Sequence, residues 1–312
     1  MRGWRAPFRR TTLALLGLAL LLGAVGPSTV VGAQARAPHV HIAAASVPKA
    51  CGAGGSPPAR YDHVIWIWME NHDYSQVINS SAAPYETALS RACGSATSYY
   101  SVGAPSLPNY IGATSGGTQG IHDDLDPAAH RLTVDNLFRQ VRSAGGQARS
   151  YLESMPGNCV LTDSGAYWAH HNPAAYYVGG KDRAACQSDD VPIGAFAHDL
   201  HSRLPAFSFV APNACHDTHD CPVGTGDAWL AHWIPQILSS PAYTSGKTAV
   251  FVVWDEFTPV PNLVIAPRTP AGTRYGGGAD HYALLRTTED LLGLSHLGRA
   301  GSAPSLRGPF RL

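Results

Sequence analysis

The sequence predicts an α/β protein with a mostly parallel central sheet flanked by helices on both faces. Three observations carry that expectation. Near-continuous apolar runs rich in β-branched and aromatic residues, "YDHVIWIWM" and "KTAVFVVWDE" above all, read as strands buried on both faces. Stretches of helical period stand between such runs, and the two types alternate from Tyr61 onward. Polar residues gather just after the strands, at the carboxyl ends where sheets of this class place their functional groups.

The elements follow in chain order. "MRGWRAPFRR" is basic, "TTLALLGLALLLGAVG" is an apolar core, and "VVGAQA" offers small residues at Ala33 and Ala35. That pattern is a secretory signal peptide over residues 1–35, cleaved after Ala35. A retained membrane anchor is the alternative, but a spanning helix needs roughly 20 apolar residues and this run is shorter. Residues 36–60, rich in Ala, Pro and Gly, read as an extended leader, and 61–312 as a single domain. "YDHVIWIWM" is the first strand, "APYETALSRACG" a helix stopped by glycine, and "SATSYYSV" the next strand. "TVDNLFRQVRSAGG" reads as an amphipathic helix with a threonine cap; Val134, Leu137, Phe138 and Val141 share one face. "QARSYLES" is a strand, followed by a loop-rich middle region. Then come "IGAFAHDLHSRL" (helix), "AFSFVAP" (strand), "GDAWLAHWIPQILSS" (helix), "KTAVFVVWDE" and "NLVIAP" (strands) and "HYALLRTTEDLLGL" (closing helix). There is no internal repeat.

Composition narrows the function. Four of the 22 basic residues and none of the 22 acidic ones lie in residues 1–35, which leaves 18 against 22, a formal −4. No basic surplus exists to attract nucleic acid. The six cysteines lie beyond the signal peptide, and an even count in an exported chain points to disulfides. Six cysteines allow 15 pairings; sequence neighbours suggest Cys51–Cys93, Cys159–Cys186 and Cys215–Cys221. A cysteine metal cluster is the alternative, but no pair of CxxC knuckles supports it.

The residues after the strands can do chemistry. Glu70 and Asn71 follow "VIWIWM", and Asp255 and Glu256 follow "AVFVVW". Carboxylates at the ends of buried strands are costly unless a charge neutralises them. A divalent cation does so, and oxygen ligands suit Mg, Ca, Mn or Zn. The alternative for Asp255 and Glu256 is a salt-bridged strand end. "NACHDTHDC" packs His216, Asp217, His219 and Asp220 between two cysteines, as a second cation site, a source of acid–base groups or a polar surface loop. "AHHNP" holds His170, His171 and Asn172, which could meet an anionic substrate. His281 opens the last helix, and alone it says little. In "SVGAPSLPNYIGATSGG", Ser106 sits between two prolines where a strand gives way to a helix. It is either a helix cap or a group presented to an anion at a helix N-terminus.

"IWMENHDYSQVI", "PSLPNYIGATSG", "AHHNP", "HDTHDC", "VVWDE" and "HYALLRTTEDLLGL" occur here in the order seen in the bacterial phosphoesterase family. That family holds acid phosphatases and non-specific phospholipases C within the alkaline phosphatase superfamily. The resemblance runs from about Tyr61 to Leu294 and implies an alkaline-phosphatase-like fold. It implies that Glu70, Asn71, Ser106, Asp255 and Glu256 hold a divalent cation, with Asp217, His219 and His281 as less secure ligands. It also implies that Ser106 is the nucleophile, that Asn109 holds a phosphate oxygen, that His219 serves in acid–base transfer, and that His171 and Asn172 line the substrate pocket. Many relatives carry His where this chain has Ala104, which removes any role for that side chain here.

The expected activity is a secreted, metal-dependent phosphomonoesterase that forms a phosphoserine at Ser106 and takes small phosphate esters. A phospholipase C or other phosphodiesterase on the same scaffold is the nearest rival, though such enzymes need room for a second ester substituent. A sulfatase lacks support, since no Cys or Ser stands in a CxPxR context. A catalytically silent binding protein of the same fold is opposed by the intact Glu70, Asn71, Ser106, Asp255 and Glu256.

Overall fold

The run from His63 to Met69 forms the middle of the sheet because every residue from Val64 onward is fully buried and three are β-branched. The computed structural model describes residues 47–312; the expected signal peptide and the first part of the expected leader lie outside the described residues. In chain order the strands are β1 (His63–Met69), β2 (Gly94–Ala96), β3 (Tyr99–Tyr100), β4 (Ala148–Leu152) and β5 (Asp190–Pro192). They continue with β6 (Phe207–Ala211), β7 (Thr248–Trp254), β8 (Asn262–Ile265), β9 (Thr273–Tyr275) and β10 (Ala279–Asp280). The helices are α1 (Tyr74–Val77), α2 (Pro84–Ala92), α3 (Ser106–Ser115), α4 (Leu137–Ser143) and α5 (Asp182–Asp189). After them come α6 (Gly194–His201), α7 (Val223–Ser239), α8 (Pro241–Thr244), α9 (His281–Leu292) and α10 (Arg307–Phe310).

Eight strands make one sheet in the order β5-β4-β6-β1-β7-β8-β2-β9, and β3 pairs with β10 apart from it. Only β8 runs against the rest: it is antiparallel to β7 and to β2, while every other pairing is parallel. The α/β architecture with a mostly parallel sheet is therefore as the sequence predicts. Period two along β1 divides its side chains between two layers of helices. Trp66 and Trp68 face α3 and α9: Trp66 Nε1 donates to Thr288 Oγ1 at 3.0 Å, and the Trp68 ring lies 5.0 Å from Tyr110. On the opposite face Met69 meets α7, where Gly226 leaves too little room for a Cβ beside the methionine methyl.

Two local expectations change. "SATSYYSV" is not one strand but β2 and β3, which pair in different sheets. Asn136 rather than Thr133 caps α4, its side chain accepting from Arg139 N at 2.9 Å, and Val134 is exposed ahead of the helix.

The three disulfides are Cys51–Cys93, Cys159–Cys186 and Cys215–Cys221, the pairs that sequence neighbours suggest. The first ties the described end of the leader to the end of α2. That segment also packs: Ala50 and Cys51 are buried, and Gly52 N donates to Thr269 O.

The order β6-β1-β7 matters most for function. These three neighbouring parallel strands end together, with Ile67 opposite Val210 and Met69 opposite Trp254. Their exits therefore deliver Glu70, the loop after Ala211 and Asp255 to one place.

Candidate active site

Glu70 leaves β1 fully buried, and Asp255 leaves β7 beside it, also fully buried. Two exchanges lock the strand exits together. Asp255 N donates to Met69 O at 3.1 Å, and Asn71 N donates to Asp255 Oδ1 at 3.1 Å. Asn71 holds φ at 54°, a left-handed conformation that Asn tolerates better than most residues. The loop after β6 is fixed to the same exit: Glu70 N donates to Asp217 O at 2.8 Å, and Thr218 Oγ1 donates to Glu70 O at 2.8 Å.

Ser106 is the first residue of α3. Pro105 occupies the cap position, so Ser106 is not the helix cap. Instead Asp124 Oδ1 accepts from Leu107 N at 2.8 Å, and the Ser106 hydroxyl is left to donate to Glu70 Oε2 at 3.1 Å. One turn later Tyr110 donates its hydroxyl to the other oxygen, Glu70 Oε1. Spacing of four residues places Ser106 and Tyr110 on one face of the helix. Gly116 ends α3 at φ 73°, where a Cβ would stand 2.2 Å from Leu297 O.

His171 completes the inner cluster. Its Nε2 lies 3.4 Å from Glu70 Oε1 and its Nδ1 3.1 Å from Asp217 Oδ2, while its ring stacks on Tyr110 at 5.4 Å. Burial drives this imidazole down to about 3, so it is neutral and cannot balance the carboxylates. Among the described residues no lysine or arginine forms an ion pair with Glu70, Asp217 or Asp255. Burial, then the charges of Asp255 and Asp217, pushes Glu70 well up. Burial raises Asp217 to about 7 and Asp255 to about 6. Glu256, half-buried, is raised to about 7 by burial and by the charges of Asp255 and Asp124.

This donor set fits a divalent cation. Asn71 Oδ1 and Asp255 Oδ2 are buried oxygens with no hydrogen-bond partner, and Asp217 Oδ2 has only the neutral His171 ring beside it, at 3.1 Å and poorly aligned for a hydrogen bond. Uncompensated buried carboxylates and orphaned oxygens are what a hard cation satisfies. Cys159, Cys186 and Asp190 also lie close together, but the two sulfurs are bonded to each other and offer no thiolate.

Three expected site residues are placed elsewhere by their contacts. Asn109 is fully buried and uses its amide on the loop before Ser106. Its Oδ1 accepts from Val102 N and Gly103 N at 2.8 and 2.9 Å, and its Nδ2 donates to Gly103 O and Pro105 O at 3.0 and 3.3 Å. With both amide hydrogens committed, it shapes the loop rather than reaching a phosphate oxygen. Asn172 turns away from the site, donating to Tyr167 Oη and to Asp190 Oδ2. His281 has both nitrogens engaged: Nε2 lies 2.6 Å from Asp255 O and Nδ1 3.0 Å from Tyr99 Oη. A carbonyl only accepts, so Nε2 carries the hydrogen, Nδ1 accepts from Tyr99, and no lone pair remains for a metal. Its role is to hold the Asp255 backbone.

His219 stands at the outer edge. Its Nδ1 pairs with Asp220 Oδ1 at 2.9 Å and its ring meets Trp168 edge-on at 4.6 Å. Tyr110, Asp124 and Trp168 are site residues that sequence reasoning passed over. Tyr110 had a signal, the spacing of four from Ser106; Asp124 had none, because its partner is a backbone amide 17 residues away.

Comparison with known proteins shows the family and the fold. The profile of the Phosphoesterase family matches residues 68–284. A phosphatidylinositol-3-phosphatase of Mycobacterium tuberculosis is 28% identical over 98% of this chain and 98% of its own length. A phosphate-repressible acid phosphatase of Penicillium chrysogenum is 26% identical over 77% of this chain, which spans 61% of that longer protein. Among solved structures, an alkaline phosphatase superfamily protein of Vibrio parahaemolyticus superposes with a TM-score of 0.52 at 14% identity, over 82% of this chain and 74% of its own. A phosphonate monoester hydrolase of Agrobacterium radiobacter gives 0.54 at 13%, over 80% and 77%. At such identities the structural likeness speaks for the fold alone.

Proposed function

This chain belongs to the Phosphoesterase family and is a phosphoric ester hydrolase, and from that premise we propose that it is a metal-dependent phosphomonoesterase whose nucleophile is Ser106. The observation that carries the reading is the contact of Ser106 Oγ with Glu70 Oε2 at the start of α3, inside a cluster of buried carboxylates lacking a cationic partner. Glu70, Asn71, Ser106, Asp255 and Glu256 would hold the cation, with Asp217 beside them. When bound, it supplies Lewis-acid stabilisation of negative charge on oxygen and offsets the buried carboxylates.

The residues do the rest. Asp124 and the loop locked by Asn109 fix the start of α3, so Ser106 Oγ is presented in one orientation. Its hydroxyl proton is held by Glu70 Oε2. In-line attack forms the Oγ–P bond and breaks the bond from phosphorus to the alcohol oxygen. His219, with Nδ1 turned to Asp220, has Nε2 free to give the departing alkoxide its proton. Water then attacks phosphorus while giving a proton back to His219 Nε2, the Oγ–P bond breaks, Oγ takes its proton back from Glu70, and inorganic phosphate leaves.

Both relatives are named as phosphatases, which favours monoesters over the phospholipase C alternative. The disulfides support an oxidising destination, with residues 1–35 as signal peptide, 36–60 as leader and 61–312 as one phosphoesterase domain. Among the described residues no helix is long and apolar enough to cross a membrane. The deciding experiment compares p-nitrophenyl phosphate with bis(p-nitrophenyl) phosphate at equal concentration. Faster release from the monoester is expected; a preference for the diester would move the reading to a phosphodiesterase.

A further inference from the structure

Four large hydrophobic side chains are exposed among the described residues: Tyr100, Leu125, Val134 and Phe257. Two of them flank the active site. Leu125 follows Asp124, whose carboxylate holds the start of α3 one residue beyond Ser106. Phe257 comes two residues after Asp255, and its carbonyl accepts from Ser101 Oγ at 3.4 Å, next to the loop that precedes Ser106. Both segments are bonded to the same stretch that leads into α3, Phe257 through Ser101 and the Leu125 segment through Leu107.

Stability does not account for either side chain. Phe257 is 52% exposed and holds φ at 74°, a left-handed conformation that is an outlier for a bulky residue. Leu125 is 56% exposed, yet its backbone is held at both ends: N donates to Asp123 Oδ1 at 3.1 Å and O accepts from Tyr176 Oη at 2.9 Å. Strained or fixed backbone that presents an apolar group to solvent is a feature of binding sites. The acidic groups beside Leu125, Asp123 and Asp124, disfavour a second anionic group on the ligand and leave an uncharged apolar moiety as the fitting occupant.

We propose that Leu125 and Phe257 are specificity-determining residues that receive the apolar part of the esterified alcohol, so that phosphomonoesters of long-chain alcohols are preferred over those of small polyols. This rests on the phosphomonoesterase reading of Ser106. The test measures kcat/KM for decyl phosphate, below its critical micelle concentration, and for glycerol 1-phosphate. Wild type is compared with the Leu125→Gln/Phe257→Asn double variant, asparagine being chosen because it suits left-handed backbone. The wild type should prefer decyl phosphate by about tenfold or more, the scale of discrimination available to apolar pockets. In the double variant that ratio should fall at least about fivefold, through KM for the decyl ester. A smaller fall, or a preference that arises only above the micelle concentration, overturns the assignment. Hydrolysis of neither ester by the wild type would instead overturn the phosphomonoesterase reading. Each single variant is measured as well, so a misfolded double variant does not decide the outcome.

Discussion

Ser106 and Glu70 stand 36 residues apart in sequence, and the serine hydroxyl donates to the glutamate Oε2 at 3.1 Å, both side chains being buried. Neither contact nor burial is needed for capping, since Pro105 holds the cap position of α3. Ser106→Ala should therefore cost about 1 kcal/mol of stability or less, the scale of one lost hydrogen bond. Turnover should fall by several orders of magnitude, on the order of 10³ or more, as for other removed nucleophiles. Acid-quenched wild type should yield a phosphorylated peptide containing Ser106. Retained turnover in the variant would reject the nucleophile assignment.

The cation is tested by removing it. Dialysis against a chelator should abolish release from p-nitrophenyl phosphate and lower Tm, because a ligand that binds only the native state adds about 2.7 kcal/mol at a hundredfold excess over Kd. Adding back Mg, Ca, Mn or Zn singly should restore both and identify the metal. Asp255→Asn keeps the shape and the acceptor for Asn71 N but removes one charge. Metal content by mass spectrometry should drop with turnover. Full occupancy and normal activity in that variant would remove Asp255 from the ligand set.

Much of this site was legible because its residues follow recognisable strands. "IWMEN" and "VVWDE" each end a buried run, and in a parallel sheet such ends share an edge. What sequence could not supply is that β1 and β7 are neighbours with Met69 opposite Trp254, since strand order depends on crossovers rather than on local pattern. Saturation by neighbours was equally hidden. Asn109 and Asn172 offered the right chemistry, but backbone of the 102–105 loop consumes the first and Asp190 engages the second. His281 looked like a ligand until Tyr99 and the Asp255 carbonyl claimed both nitrogens.

Tyr110 should act by holding Glu70. Its hydroxyl reaches Oε1 while Ser106 occupies Oε2, so the carboxylate cannot rotate without losing a partner. Tyr110→Phe keeps the ring stacked on His171 and deletes only the hydroxyl. Removing a group that orients a metal ligand typically costs about 10–100-fold in metal affinity. Titration calorimetry of the cation should show that loss, with kcat falling alongside. Unchanged metal affinity would reduce Tyr110 to a packing residue.

The last prediction concerns stability away from the reaction. Asp190 is buried next to the Cys159–Cys186 disulfide, where Oδ2 accepts from Asn172 and Oδ1 has no partner. Burial pushes its carboxyl up to about 7 from an ordinary 3.8. The folded protein therefore binds a proton there that the unfolded chain has already released between about pH 4 and pH 7. Stability contributed by the neutral form is fully present below the unfolded value and is lost as pH rises through the folded one. Asp190→Asn keeps an acceptor for Asn172 and never ionises, so its advantage over wild type should grow across that window and level off above about pH 7. The expected gain at pH 8 is on the order of 1–3 kcal/mol, since a tenfold change in proton affinity corresponds to about 1.4 kcal/mol and burial in native proteins is rarely complete. The difference between the two unfolding curves isolates this group from opposing ones such as His281, whose buried imidazole is held down to about 4. Parallel stability profiles for the two proteins from pH 5 to pH 8 would show that Asp190 stays ionised in the fold.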